Sequence, residues 1–257
     1  MNDHAILEVK ELEKDFGGIR ATDHVSFSCK KGEIVGIIGP NGAGKTTIVN
    51  LISGFVRPSG GKIFFKGRDI TGLAPHKIAR LGIVRTFQKV KPLTDLPAFK
   101  NLVLPLTSPR LRHLSGGKYG NRDVLALDLM EEVGFERDSP MVGRLASELA
   151  HGYQKRLEIA RCLALRPELI MFDEVLAGLT VAETGSFIPL LEGLKIQGIT
   201  LFLIEHRLSE LFRIADRIIV FNFGRKVSEG VPSKILEDPK VKEVYLGKIL
   251  EEESIGE

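Results

Sequence analysis

An α/β fold built on a parallel sheet is predicted by three features of the 257-residue sequence. Short, nearly uninterrupted apolar runs at 33–39 (EIVGIIG), 169–172 (LIMF), 200–204 (TLFLI) and 217–221 (RIIVF) have the composition of strands buried on both faces. Helix-forming stretches separate these runs, and a glycine-rich turn joins the first run directly to a helix over 44–54. In chain order, the N-terminal stretch alternates apolar and polar side chains through Ile6, Glu8 and Lys10. It alternates again through Val25, Ser26, Phe27 and Ser28, with turns at Gly17-Gly18 and Lys31-Gly32, which is strand periodicity. From about 92 to 165 helical spacing dominates, at Val124, Leu127 and Met130 to Val133, then at Leu157 and Ala160 to Leu163. A Gly-, Pro- and Arg-rich stretch at 108–122 interrupts it and reads as an exposed loop. A helical stretch at 208–214 precedes the run at 217–221, a short strand is expected at 225–230, and Pro232-Ser233 opens two helical segments. The acidic tail LEEESIGE reads as frayed, and no internal repeat is present in the sequence.

Composition narrows the function classes. Lysine and arginine number 36 against 33 acidic residues, so a net charge of +3 excludes a chain built mainly to coat nucleic acid or an anionic membrane. No apolar run approaches the roughly 18 residues of a spanning helix. The start MNDHAILEVK carries Asp3 and Glu8 and lacks the apolar core of a signal peptide. Cys29 and Cys162 are isolated and read as small core hydrophobes in a reducing, cytoplasmic setting.

Residues Gly39, Pro40, Asn41, Gly42, Ala43, Gly44, Lys45 and Thr46 match GxxxxGK[ST] after a buried strand and at a helix start. Glycines let successive backbone N–H groups turn inward toward phosphate oxygens, and the helix dipole adds positive potential at the same place. Lys45 is expected to reach the β- and γ-phosphates, Thr46 to offer its hydroxyl to Mg²⁺, and Thr47 to extend the cradle. The run at 169–172 ends in Asp173-Glu174, which puts Asp173 at a strand edge beside the phosphate loop where it can hold Mg²⁺. Glu174 then faces the γ-phosphate as a base for the attacking water.

With these motifs in order, the chain from Leu7 to Leu250 resembles the nucleotide-binding subunits of ABC transporters. The resemblance implies a P-loop NTPase fold: a RecA-like parallel core, an N-terminal antiparallel β-subdomain (about 1–75, interleaved with the core) and a helical subdomain inserted at about 92–165. Core and C-terminal helices fill 166–257, all within one ATPase domain. It implies ATP and Mg²⁺ as ligands. It implies that Phe16 in KDFGG stacks on adenine, and that Gln88 in VRTFQ serves metal and catalysis while linking the site to a membrane partner. His206 in LIEH is the implied switch histidine at the γ-phosphate.

Two segments resemble the family's LSGGQ signature. Leu149, Ala150, His151, Gly152, Tyr153 and Gln154 hold the signature's place, opening the stretch QKRLEIARCL ahead of the acidic strand, whereas LSGGK at 114–118 lies in the Arg-rich loop and reads as a coincidental turn. The signature implies contact with nucleotide bound by an opposing subunit, with Ala150 where the family commonly has a hydroxyl. Val175, Thr180 and Arg207 also depart from the family pattern of proline, an acidic or amide residue, and aspartate.

GIVRTFQ, LEIARCLALRPELIMFDE and the ending ILEDPKVKEVYLGK resemble the larger ATPase subunit of branched-chain amino-acid importers. That resemblance implies two transmembrane permease subunits, a second ABC ATPase subunit (paralogue or second copy) and, indirectly, an extracytoplasmic substrate-binding protein. It implies a peripheral position on the cytoplasmic face of the membrane and no nucleic-acid partner. The alternatives are the ATPase of a lipopolysaccharide-export system and a soluble non-transport ABC ATPase, for which the basic residues Arg110, Arg112, Lys118 and Arg122 are the one suggestive feature.

Overall fold

The computed structural model describes residues 5–87, 92–108 and 122–245. Gln88, Arg110, Arg112, the LSGGK segment with Lys118, and the tail beyond Tyr245 lie outside the described residues.

Two long strands, β1 (Ala5–Phe16) and β2 (Ile19–Lys30), pair antiparallel around the Gly17-Gly18 turn. Strand β3 (Ile34–Ile38) follows, wholly buried, and leads through the glycine-rich loop into helix α1 (Lys45–Ile52). Strands β4 (Gly60–Phe65) and β5 (Arg68–Asp69) return to the first pair, giving an antiparallel sheet of order β2-β1-β4-β5. Helix α2 (Pro75–Leu81) has proline at its start and Gly82 as a left-handed C-cap, and it feeds β6 (Ile83–Arg85).

The insertion between β6 and the next strand is helical. It contains a 3₁₀ turn at Phe99–Leu102 that continues into α3 (Val103–Leu106), then α4 (Arg122–Glu132) and α5 (His151–Leu163). The core resumes with β7 (Leu169–Asp173), α6 (Val181–Ile196), β8 (Thr200–Ile204), α7 (Leu208–Ile214), β9 (Arg217–Asn222), β10 (Arg225–Gly230) and α8 (Pro232–Glu237). A second C-terminal helical segment is described over 239–245.

The second sheet has order β10-β9-β3-β8-β7-β6, with β6, β7, β8, β3 and β9 parallel and β10 antiparallel at the edge. Because strand side chains alternate, the sheet divides the interior in two. Ile34, Ile38, Ile170, Phe172, Leu201 and Leu203 face one core, which takes in the helical insertion and α6 to α8. Val35, Ile37, Leu169, Met171, Phe202 and Ile204 face the other, against α1, α2 and the antiparallel sheet. Both cysteines are buried and unbridged, and burial pushes their thiols well above the usual range, Cys162 to about 12. Among the described residues no helix is long and apolar enough to cross a membrane.

Candidate functional site

Three glycines shape the loop after β3. Gly39 (φ 149°), Gly42 (79°) and Gly44 (97°) all have positive φ, and a Cβ on Gly44 would stand 2.6 Å from the Ala21 carbonyl oxygen. Gly44 is also the N-cap of α1 and provides no side-chain cap, and a helix N-terminus carries the partial positive charge that favours an anion. The turn between β9 and β10 pins the loop from outside, with the Gly224 N–H donating to the Ala43 carbonyl at 3.1 Å. Lys45, only 7% exposed, folds back and donates Nζ–H to the carbonyls of Gly39 (2.7 Å) and Pro40 (2.9 Å). A cleft of about 210 Å³ results, lined by Ala21, the 41–47 segment, Glu174 and His206. Residues far apart in sequence thus meet at one place.

Asp173 ends β7 on the face shared with Leu169 and Met171, toward α1, and is almost fully buried. Burial pushes its carboxyl above the usual range, opposed by the Arg85 guanidinium, whose Nη2 lies 3.2 Å from Oδ2. Glu174 follows in a left-handed conformation (φ 58°), fixed by its N–H to the Ile204 carbonyl, and its Oε1 stands 3.1 Å from His206 Nε2. A hydroxyl from Thr46 and a buried carboxylate from Asp173 are hard oxygen donors of the kind Mg²⁺ takes together with substrate phosphates, so these residues fit that ion.

The segment after Glu174 is held by Lys155 and Glu205, to which the sequence assigned no role, and by Arg207 and Thr180, two of the departures from the family pattern. Lys155, on α5 and 4% exposed, donates Nζ–H to the carbonyls of Glu174 (3.1 Å), Val175 (2.7 Å) and Ala177 (2.5 Å). Glu205 accepts the Leu176 N–H at 2.8 Å, and burial raises its carboxyl to about 7. Arg207 donates to Thr184 Oγ1 (2.7 Å) and to the Leu179 carbonyl (2.5 Å). Thr180 closes a capping box with Glu183 at the start of α6. The family departures at 175, 180 and 207 therefore fall within one hydrogen-bonded loop.

The signature segment opens α5 with Ala150 as N-cap and no side-chain cap. Its side chains divide. Leu149 is in the core, the Tyr153 ring packs edge-on against Phe135 (centroids 5.0 Å), and Gln154 Nε2–H donates to the Leu149 carbonyl at 2.9 Å. These three turn inward and Gly152 is buried, which leaves the exposed Ala150 and His151 as the accessible part. None of the six lines the 210 Å³ cleft of its own chain. Phe16 lies at the β1–β2 hairpin, 46% exposed, with Lys14 Nζ 4.9 Å from its ring centroid, and also does not line that cleft.

A glycine-rich loop between strand and helix, an acidic strand end and a histidine beside it, on a six-stranded, mostly parallel sheet with a helical insertion, define a P-loop ATPase of the ATP-binding-cassette class. The chain belongs to the ABC transporter family, whose model matches residues 22–177. It is 38% identical over 257 residues to the high-affinity branched-chain amino acid transport ATP-binding protein BraF of Pseudomonas aeruginosa, covering 95% of this chain and 98% of that one. It is 37% identical over 245 residues to the probable branched-chain amino acid transport ATP-binding protein LivG of Archaeoglobus fulgidus, covering 94% and 95%. Among solved structures, the ADP conformation of an ATP-binding cassette of an ABC transporter superposes with a TM-score of 0.83 at 35% identity, covering 95% and 99%. A dimeric ATP-binding cassette bound to ADP and Pi superposes with a TM-score of 0.75 at 26% identity, covering 88% and 98%.

Proposed function

We propose that this chain hydrolyses MgATP as one half of a head-to-tail pair of cassettes and so energises import of branched-chain amino acids through two membrane permeases, with an extracytoplasmic binding protein delivering substrate. The observation that carries the pairing is the separation of the accessible signature residues, Ala150 and His151, from the cleft that holds the phosphate loop, Glu174 and His206. A second cassette, paralogue or copy, would supply its own α5 N-terminus to the γ-phosphate.

In this reading the loop N–H groups and Lys45 hold the β- and γ-phosphates, and Phe16 stacks on adenine. Thr46, Asp173 and Gln88 would hold Mg²⁺, which would neutralise phosphate charge. Glu174 accepts the proton of the attacking water as its oxygen bonds to the γ-phosphorus and the bond to ADP breaks. His206, at 3.1 Å from Glu174, orients that carboxylate and contacts the γ-phosphate.

Support for membrane partners comes from a groove of about 400 Å³ between core and insertion, where Phe87 and Leu104 are exposed beside Cys162 and Leu165. The chain would sit on the cytoplasmic face. The transported class is supported by the BraF and LivG relatives. Glu174→Gln protein, mixed with its partner cassette and saturating MgATP, should double its mass in light scattering; persistence of monomers would refute the pairing. Affinity capture of tagged protein from detergent-solubilised membranes should bring two polytopic proteins and a second cassette, and recovery of soluble proteins or ribosomes instead would refute the transport reading.

A further inference from the structure

Arg85 ends β6, three residues before Gln88, and its guanidinium is 93% buried. It bridges two parts of the molecule. Its Nη2 meets Asp173 Oδ2, and Nη1 donates to Asn50 Oδ1 (2.6 Å) and Ser53 Oγ (3.3 Å) around the end of α1. The same guanidinium lies 4.8 Å from the ring centroid of Phe87 and 5.5 Å from that of Phe55, which themselves pack edge-to-face at 5.5 Å. Both phenylalanines are exposed, 43% and 53%, and Phe87 rims the groove between core and helical insertion. The Phe87 N–H donates to Glu158 on α5 at 3.0 Å, so the same rim is tied to the helix that the signature opens.

The arrangement is a poor device for stability alone. A buried ion pair recovers little beyond the cost of desolvating its charges, and it does so only with good geometry. Here a single N–H meets a single carboxylate oxygen at 3.2 Å, longer than the 2.7–2.9 Å typical of charge-assisted bonds and without the bidentate fork that arginine can offer. Such a bond holds a carboxylate in place and yields it readily to a stronger cation.

We propose that Arg85 is a positioning residue that holds Asp173 until a metal–nucleotide complex displaces it, and that this displacement loosens the aromatic rim formed by Phe55 and Phe87. This rests on the reading of Asp173 as a metal ligand. When Asp173 turns to a divalent cation, the guanidinium loses that carboxylate anchor while retaining Asn50, Ser53, the Thr86 carbonyl and the two rings, so its position against the rings can shift. The metal site thereby acquires an outer end on the groove.

The test uses Mn²⁺ as the metal probe and a non-hydrolysable ATP analogue, with metal affinity read by electron paramagnetic resonance. Arg85→Gln should bind Mn²⁺ about tenfold more tightly than wild type, since a competing cation has been removed from a partly screened interior, and Arg85→Lys should fall between. In wild type, hydrogen exchange at 54–56 and 84–87 should rise when Mn²⁺ joins the analogue complex, and in Arg85→Gln it should not respond. Equal or weaker Mn²⁺ binding by folded Arg85→Gln overturns the inference, as does unchanged exchange in wild type; if the variant does not fold, the wild-type exchange decides alone. Asp173→Asn separates the two levels. Unchanged Mn²⁺ affinity in that variant refutes the metal-ligand reading itself, whereas weakened affinity together with an unaltered Arg85→Gln refutes only the role of Arg85.

Discussion

The phosphate loop and the segment after Asp173 lie against one cleft, yet they are held by opposite means. The loop of 39–47 is shaped by its own backbone: three positive-φ glycines, a helix start and contacts with the adjoining hairpins at Ala21 and Gly224. The segment of 174–180 makes two turn bonds of its own, from the Ala177 N–H to the Glu174 carbonyl and from the Leu179 N–H to the Leu176 carbonyl, and is otherwise suspended from Lys155 on α5 and from Glu205 and Arg207, which follow β8. Local geometry of the first kind resists distant change. Suspension of the second kind transmits it, because any shift of α5 moves the carbonyls of Glu174 and its neighbours through one ammonium group.

If that contrast holds, four substitutions should separate the two regions. Lys45→Ala should lower ATP turnover about 10²- to 10³-fold, the loss expected for one phosphate-binding donor in the proposed reading, and should cost only about 1 kcal/mol of unfolding free energy, because the Gly39 and Pro40 carbonyls lose the Nζ donor while the glycines still shape the loop. Lys155→Met should act in the reverse sense. It takes the Nζ donor from the buried Val175 carbonyl and the part-buried Glu174 and Ala177 carbonyls, of which that of Glu174 keeps the Ala177 N–H, and is expected to cost about 3 kcal/mol in urea unfolding. A loss under about 1 kcal/mol would mean that the loop is held by its backbone after all. Gly44→Ala should cost about 2–3 kcal/mol, from a left-handed residue and an overlap with the Ala21 carbonyl, and a cost near zero would show that the cradle is pliable.

The smallest effect concerns pH. The Glu205 carboxyl stands at about 7 in the folded chain against an ordinary 4.5, so below pH 4.5 folded and unfolded chains both carry the proton. Between 4.5 and 7 the unfolded chain releases it first, and stability therefore falls as pH rises. Glu205→Gln should remove roughly 2 kcal/mol of that fall, seen by comparing urea midpoints of wild type and variant at pH 4.5 and pH 8. An unchanged pH dependence would place the charge of Glu205 in water, and with it the far end of the suspension.

The same contrast explains what could be read from the residues. Strands β3, β7, β8 and β9 and the cradle were legible because apolar runs and glycine placement are chain-local signals. The expected helix of 44–54 closed to Lys45–Ile52, a difference of end residues. Strands β4 and β5 and helices α2 and α6 went unread. In α6 the buried positions Thr184, Phe187, Ile188, Leu191 and Leu194 keep helical spacing, but Gly185, Pro189 and Gly193 are poor helix formers, and the apolar Val181 and Ile196 are exposed, which blurs the stripe. Among site residues, Glu174 and His206 were expected and share the cleft. Arg85, Lys155 and Glu205 carry no local signature, since their hydrogen-bond partners Asp173, Glu174 and Leu176 lie 19 or more positions away; a buried charge can be found only once burial is known. Tyr153 shows the converse, a residue picked by motif position whose ring serves the packing of the helical insertion.

Side-chain alternation along β7 and β8 works as a parity rule. Asp173 falls on the α1 side because it stands an even number of residues from Leu169 and Met171, and Glu205 falls on the opposite side because it stands one beyond Ile204. Gain or loss of a single residue inside β7 would deliver the Asp173 carboxylate to the greasy side of the sheet, whereas a change of two would restore its address. Length variation in these strands should therefore arise in even steps, a restriction from which the connecting loops are exempt.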